Sequence, residues 1–92
     1  MTADVYTGNA IEEAIYRAIR KVKPSLEAIP LEATTPFDSL GLASLERAIV
    51  VFELEDEFEV AIIDAALDRF RTVSEAREVV AKLLARKRDA EA

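Results

Sequence analysis

Apolar positions recur with a helical period over three stretches of the chain. Over residues 9–22, Ile11, Ile15, Ile19 and Val22 fall at i, i+4, i+8 and i+11, with Ala14 and Ala18 beside them, on one helical face. Asn9 with Glu12 three residues on makes a capping-box start, and Arg20, Lys21 and Lys23 suit the negative end of the helix dipole. Pro24 stops this helix at or just after Val22. A second helix is predicted over residues 44–58, with Ser44 as N-cap and Glu46 in the first turn. A last helix opens on Thr72-Val73-Ser74-Glu75, a Thr-x-x-Glu capping box. Its apolar positions are Val73, Ala76, Val79, Val80, Leu83 and Leu84, and Arg86, Lys87 and Arg88 end it favourably. Before it, Val60 to Ile63 is apolar throughout, which is no alternating strand, and Asp64 is placed to cap a short helix over residues 65–70.

Residues 24–43 break every period, through Pro30, Pro36 and the Thr34-Thr35 pair. Ile29, Leu31, Phe37 and Leu40 are apolar, so this long connection is expected to be pinned to a core. A loop of that length in a small domain is usually functional or disordered. The pattern predicts an all-α domain of three main helices and one short one, with the long connection between the first two.

Composition narrows the chemistry. The chain has 92 residues, no cysteine, no histidine and no tryptophan. Thiolate metal sites, disulfides, catalytic triads and histidine acid–base work are excluded. No apolar run approaches a membrane span, and residues 1–8 lack the basic start and apolar block of a secretory signal. A cytoplasmic domain is therefore expected, with flexible tails at 1–8 and 88–92. An enzyme is a poor reading: Asp38 and Asp64 could join a carboxylate site, but no Gly-rich phosphate loop accompanies them. No metal site is expected.

Charge is unevenly placed. The net charge is −6, and residues 24–70 hold only Arg47 and Arg69 against eleven acids. That sign opposes nucleic-acid binding and suits basic partners, although a plain solubility surface is the favoured reading of a charge run alone. The second helix adds a detail. Val50, Val51, Leu54 and Phe58 form one apolar stripe, while Leu45, Ile49 and Phe52 form another at i, i+4 and i+7, flanked by Glu46, Glu53 and Asp56. Either the second stripe lies buried under the long loop, or it is an exposed docking strip with acidic edges. Ser44, at a helix start after a glycine turn, is ordinarily just an N-cap, although anions also suit that position.

The segment Phe37-Asp38-Ser39-Leu40-Gly41-Leu42-Ala43-Ser44-Leu45-Glu46 resembles the acyl carrier proteins, whose pattern there is Leu-Gly followed by Asp-Ser-Leu. Further on, Glu55-Asp56-Glu57-Phe58 is similar to the acidic end of that family's second helix. Ile62-Ile63-Asp64 resembles its Ile-Pro-Asp segment, and Thr72-Val73 its Thr-Val before the last helix. In order and spacing, the resemblance spans about residues 9–85. It implies an acyl-carrier-protein-like four-helix bundle over residues 9–87.

The resemblance also implies a function. A phosphopantetheinyl transferase would move 4′-phosphopantetheine from coenzyme A onto Ser44, and the domain itself would catalyse nothing. The arm would carry acyl or aminoacyl groups as thioesters for a fatty-acid, polyketide or specialised pathway. Partners would be that transferase, a loading ligase or transferase and downstream synthase enzymes, with no nucleic acid and no membrane. They would read Leu45, Glu46, Ile49, Phe52, Glu53 and Asp56, and a monomer is expected because carriers pass between enzymes. Two departures stand out. Ala43 replaces the family's usual Asp before the serine, and Ile49 and Phe52 make the docking strip more apolar than a fatty-acid carrier's. The alternative is a non-carrier interaction module of the same fold, in which Ser44 only caps its helix.

Overall fold

A computed structural model describes residues 8–62 and 70–91. Three helices dominate: α1 (Gly8–Val22), α2 (Ser44–Phe58) and α3 (Val73–Glu91). Among the described residues there is no strand, only an isolated bridge between Pro36 and Thr72. Helix α1 packs against both α2 and α3. The all-α architecture follows the hydrophobic period, and α1 ends at Val22 in front of Pro24 as expected.

The buried side chains of the helices are ones the period selected, while Val22 and Leu83, also selected, are only partly buried. Ile11, Ala14, Ile15, Ala18 and Ile19 of α1 meet Val50, Val51, Leu54 and Phe58 of α2, with Val73, Ala76, Val79, Val80 and Leu84 of α3. Two helix starts and one end differ from the sequence pattern. Asn9 lies inside α1, which already includes Gly8. Helix α2 begins with Ala43, not Ser44, at its N-cap. Helix α3 continues through Glu91, past the Arg86–Arg88 run. The short helix expected over residues 65–70 lies outside the described residues except for Phe70, which is buried.

Thr72 does cap α3, its Oγ1 accepting from the Glu75 N–H at 3.0 Å. The Glu75 carboxylate reaches one residue further back than a capping box requires, accepting from the Arg71 N–H at 3.1 Å. Beyond α2, Glu59 adopts the left-handed conformation, and the Glu55 carboxylate accepts from the Ile62 N–H at 2.7 Å.

The connection from α1 to α2 is structured throughout its anchor points. It contains two 3-10 turns, Pro24–Leu26 and Phe37–Leu40. Leu26, Phe37 and Leu42 are buried, and Leu31, Ala33 and Leu40 pack partly against the core. Ile29 is an exception to the expected pinning, for it is exposed. Phe37 stands against Phe70 with ring centroids 6.0 Å apart and planes tilted by 47°.

Two backbone bonds tie this connection to the start of α3. The Phe37 N–H donates to the Arg71 carbonyl at 2.8 Å, and the Ser74 N–H donates to the Ala33 carbonyl at 2.9 Å. The second satisfies one of the donors that a helix start leaves without an intrahelical partner.

Gly41 closes the Phe37–Leu40 turn in the left-handed region, at φ 76°. A Cβ there would meet only the end of Lys23 at 3.6 Å, an ordinary contact, so the requirement for glycine is conformational. Gly41→Ala is therefore expected to lower unfolding free energy by about 1–2 kcal/mol, measurable by urea denaturation.

Candidate functional site

The candidate site is the turn that leads into α2. Gly41 reverses the chain, Leu42 drops into the core, and Ala43 is extended (φ −72°, ψ 168°). The Arg47 N–H donates to the Ala43 carbonyl at 2.9 Å, the first bond of the helix. With Leu42 drawn inward, the turn into the helix is completed at Ala43, and Ser44 becomes the first residue with helical backbone. This corrects the expectation that Ser44 is the N-cap. Ala43 has no side-chain acceptor, so only half of a capping box forms: Glu46 Oε1 accepts from the Ala43 N–H at 3.1 Å.

Ser44 is exposed at the positive end of a 15-residue helix. The first N–H groups of a helix have no intrahelical acceptor, and with the dipole they favour a negative group. A phosphodiester on the Ser44 oxygen would meet that environment, and Ala43 places no carboxylate beside it.

The second stripe of α2 is on the outside. Leu45 is 73% exposed, Phe52 53% and Ile49 39%, which decides against burial under the loop. Asp56, four residues beyond Phe52, continues the same face and is exposed. Leu45, Ile49, Phe52 and Asp56 are thus brought together on one surface with Ser44 at its start.

The other two acids predicted for this surface are engaged within the chain. Glu53 pairs with Lys21 at 2.9 Å, and Glu46 lies 3.8 Å from Lys23. A third bridge, Arg17 to Glu57 at 2.9 Å, completes a ladder between α1 and α2. Arg17 and Lys21 are one turn apart on α1. Glu57 and Glu53 are one turn apart on α2 in the reverse order, as antiparallel neighbours require. The cations at the end of α1 therefore do more than complement their own helix dipole. The equal i, i+4 spacings were the signal that could have found the ladder. On the other side, Arg47 pairs with Asp38 of the 3-10 turn. Exposed pairs of this kind contribute about 0–1 kcal/mol each, so their larger effect is on the charge a partner meets. Among the described residues no three potential metal ligands cluster, and no helix is long and apolar enough to cross a membrane.

Comparison with known proteins bears directly on this arrangement. The family described as "phosphopantetheine attachment site" matches residues 14–86. The chain belongs to the acyl carrier protein family. It is 37% identical over 60 residues to the acyl carrier protein of Onion yellows phytoplasma (strain OY-M), covering 64% of this chain and 79% of that protein. It is 30% identical over 63 residues to acyl carrier protein 4, chloroplastic, of Arabidopsis thaliana, covering 68% of this chain and 46% of that one. With acyl carrier protein 3, chloroplastic, of Hordeum vulgare, the identity is 28% over 75 residues, covering 82% and 57%. The chain spans about half the length of these two chloroplast relatives. The group that a carrier of this family holds is a covalently attached 4′-phosphopantetheine. The residues of the α2 turn fit it, for the reasons just given.

The position of Ser44 separates two roles by stability alone. An N-cap serine replaced by alanine costs about 1 kcal/mol. For Ser44→Ala in the first helical position the expected change is within about 0.5 kcal/mol, checked by the denaturant midpoint at constant slope.

Proposed function

We propose that this chain carries acyl or aminoacyl groups, with Ser44 as the attachment residue and the outer face of α2 as the surface that partner enzymes read. The observation that carries this reading is the exposed Ser44, the first residue of α2 and at the head of the exposed strip Leu45, Ile49 and Phe52. When bound, the arm supplies a terminal thiol that holds cargo as a thioester, chemistry that a chain without cysteine or histidine does not have. Ser44 supplies the oxygen that bonds to the phosphorus of the arm as the pyrophosphate P–O bond of coenzyme A breaks and adenosine 3′,5′-bisphosphate leaves, and the serine proton goes to a base of the transferase. The helix N-terminus favours the resulting charge. The chain itself catalyses no step.

Partners are a phosphopantetheinyl transferase, a loading ligase or transferase, and downstream synthases of a fatty-acid, polyketide or specialised pathway. A monomer suits a domain that must present one face to each of them in turn. With Glu46 and Glu53 paired to Lys23 and Lys21, the strip Leu45–Ile49–Phe52 offers a partner mainly apolar area, and Asp56 adds an exposed acid at its end. Ala43 in the cap position supports this reading over the alternative, an interaction module whose serine is kept only as a cap.

The test is intact-protein mass after incubation with coenzyme A and a broad-specificity phosphopantetheinyl transferase. The wild type is expected to gain one phosphopantetheine and Ser44→Ala none. Modification of Ser44→Ala, or none of the wild type beside a control carrier that is modified, would contradict the proposal. Phe52→Ala tests the surface. Half-exposed, Phe52 is expected to leave the unfolding midpoint nearly unchanged when replaced, while complexes with a partner dissociate faster. A midpoint loss of core size, about 3–5 kcal/mol, would instead make it a packing residue.

A further inference from the structure

Lys23 stands where α1 ends and touches the turn that presents Ser44. Its backbone is fixed on both sides. Its N–H donates to the Ile19 carbonyl at 2.9 Å, and its carbonyl accepts from the Leu26 N–H at 3.0 Å. From that base its Nζ donates to the Gly41 carbonyl at 3.3 Å and lies 3.8 Å from Glu46 Oε2. The other oxygen of the same carboxylate accepts from the Ala43 N–H. Lys23 therefore closes a ring through Gly41, Leu42, Ala43 and Glu46, the residues on either side of Ser44. The end of its stem also lies against Gly41, within 3.6 Å of where a Cβ would stand.

The ring has a specific task at this helix start. Alanine is among the poorest N-cap residues, because it leaves the first-turn donors without a side-chain acceptor. At Ala43 that deficiency sits directly before the residue to be modified. Glu46 leaves those donors as they are and fixes the turn from the other side, accepting from the Ala43 N–H, and a flexible glutamate does this only if its carboxylate is held. Lys23 holds it while anchoring the carbonyl on the other side of Leu42.

We propose that Lys23 is a positioning residue for arm transfer to Ser44, acting through Glu46 and the Gly41 carbonyl to hold a turn in which Ala43 offers no side-chain cap. This rests on Ser44 being the attachment residue. It makes three linked statements. Removing Lys23 loosens the turn without unfolding the domain. It slows the transfer step more than binding of the transferase. A side-chain cap restored at Ala43, which is exposed, makes Lys23 dispensable.

The experiment uses the full chain, coenzyme A and a broad-specificity transferase, with amide hydrogen exchange on the unmodified proteins. For Lys23→Ala, kcat for arm transfer is expected to fall about fivefold, the ratio that loss of one cap interaction corresponds to, with KM nearly unchanged. Exchange at the Ala43 amide should quicken while Val80 in the core keeps its protection. In the double variant Lys23→Ala, Ala43→Asp, both values should return towards wild type, and Ala43→Asp alone should gain less. Lys23→Gln, which keeps a donor but loses the charge, serves where Lys23→Ala does not fold.

Unchanged kcat and unchanged Ala43 exchange would overturn the proposal. So would an equal gain from Ala43→Asp in both backgrounds, since the aspartate would then be acting on the transferase directly. If the wild type is not modified, or Ser44→Ala is, the attachment reading itself fails and the positioning role falls with it. Faster exchange would then show a structural clasp and nothing more.

Discussion

The position of the candidate site depends on how the connection between α1 and α2 is held to the core. A segment of this length has little backbone pairing of its own, and it would be costly to order without outside partners. Here the partners are Leu26, Phe37 and Leu42 in the core, and the two backbone bonds to the segment that starts α3. Phe37 serves twice, with its ring against Phe70 and its N–H on the Arg71 carbonyl. Once Phe37 and Leu42 are both inside, the residues between them must turn within a short span. Gly41 is where the left-handed backbone is taken up. Ala43 and Ser44 then follow at the surface, at the head of α2.

The acidic middle of the chain has a different meaning in three dimensions from the one its net charge suggests. Arg17 and Lys21 of α1 and Lys23 just after it reach across to Glu57, Glu53 and Glu46, Arg47 meets Asp38, and Lys87 lies 3.6 Å from Glu59. Many of the eleven acids are therefore matched inside the domain. The outer face of α2 retains its apolar strip and the exposed Asp56. The net charge of −6 already counts these cations, so the pairing leaves it unchanged and alters only the local surface, which along Leu45, Ile49 and Phe52 is apolar.

The helices were legible because each has a long apolar period and clear stops, such as Pro24 after α1 and Thr72 before α3. The core stripe Val50, Val51, Leu54 and Phe58 was equally plain. Whether Ile49 and Phe52 are inside or outside was not, because it depends on which side of α2 the connection crosses. The cap of α2 was misplaced by one residue. Ser44 has the chemistry of an N-cap, and local preference favours it there, but burial of Leu42 sets the register and leaves alanine in that place. The ladder between α1 and α2 joins residues 32 and 40 apart, a pairing that only antiparallel packing brings together. The motif around Ser44 pointed to the family, while the geometry of its turn, and the part Lys23 takes in it, emerged only with the fold.

The central claim is that this turn presents one serine, Ser44, and not its neighbour Ser39, which is also exposed and lies in the adjacent 3-10 turn. Fragmentation of the modified protein by mass spectrometry tests this most directly, because it assigns the added group to a residue. The account predicts phosphopantetheine on Ser44 alone, the residue at the positive end of α2. The group on Ser39, or divided between the two serines, would contradict it.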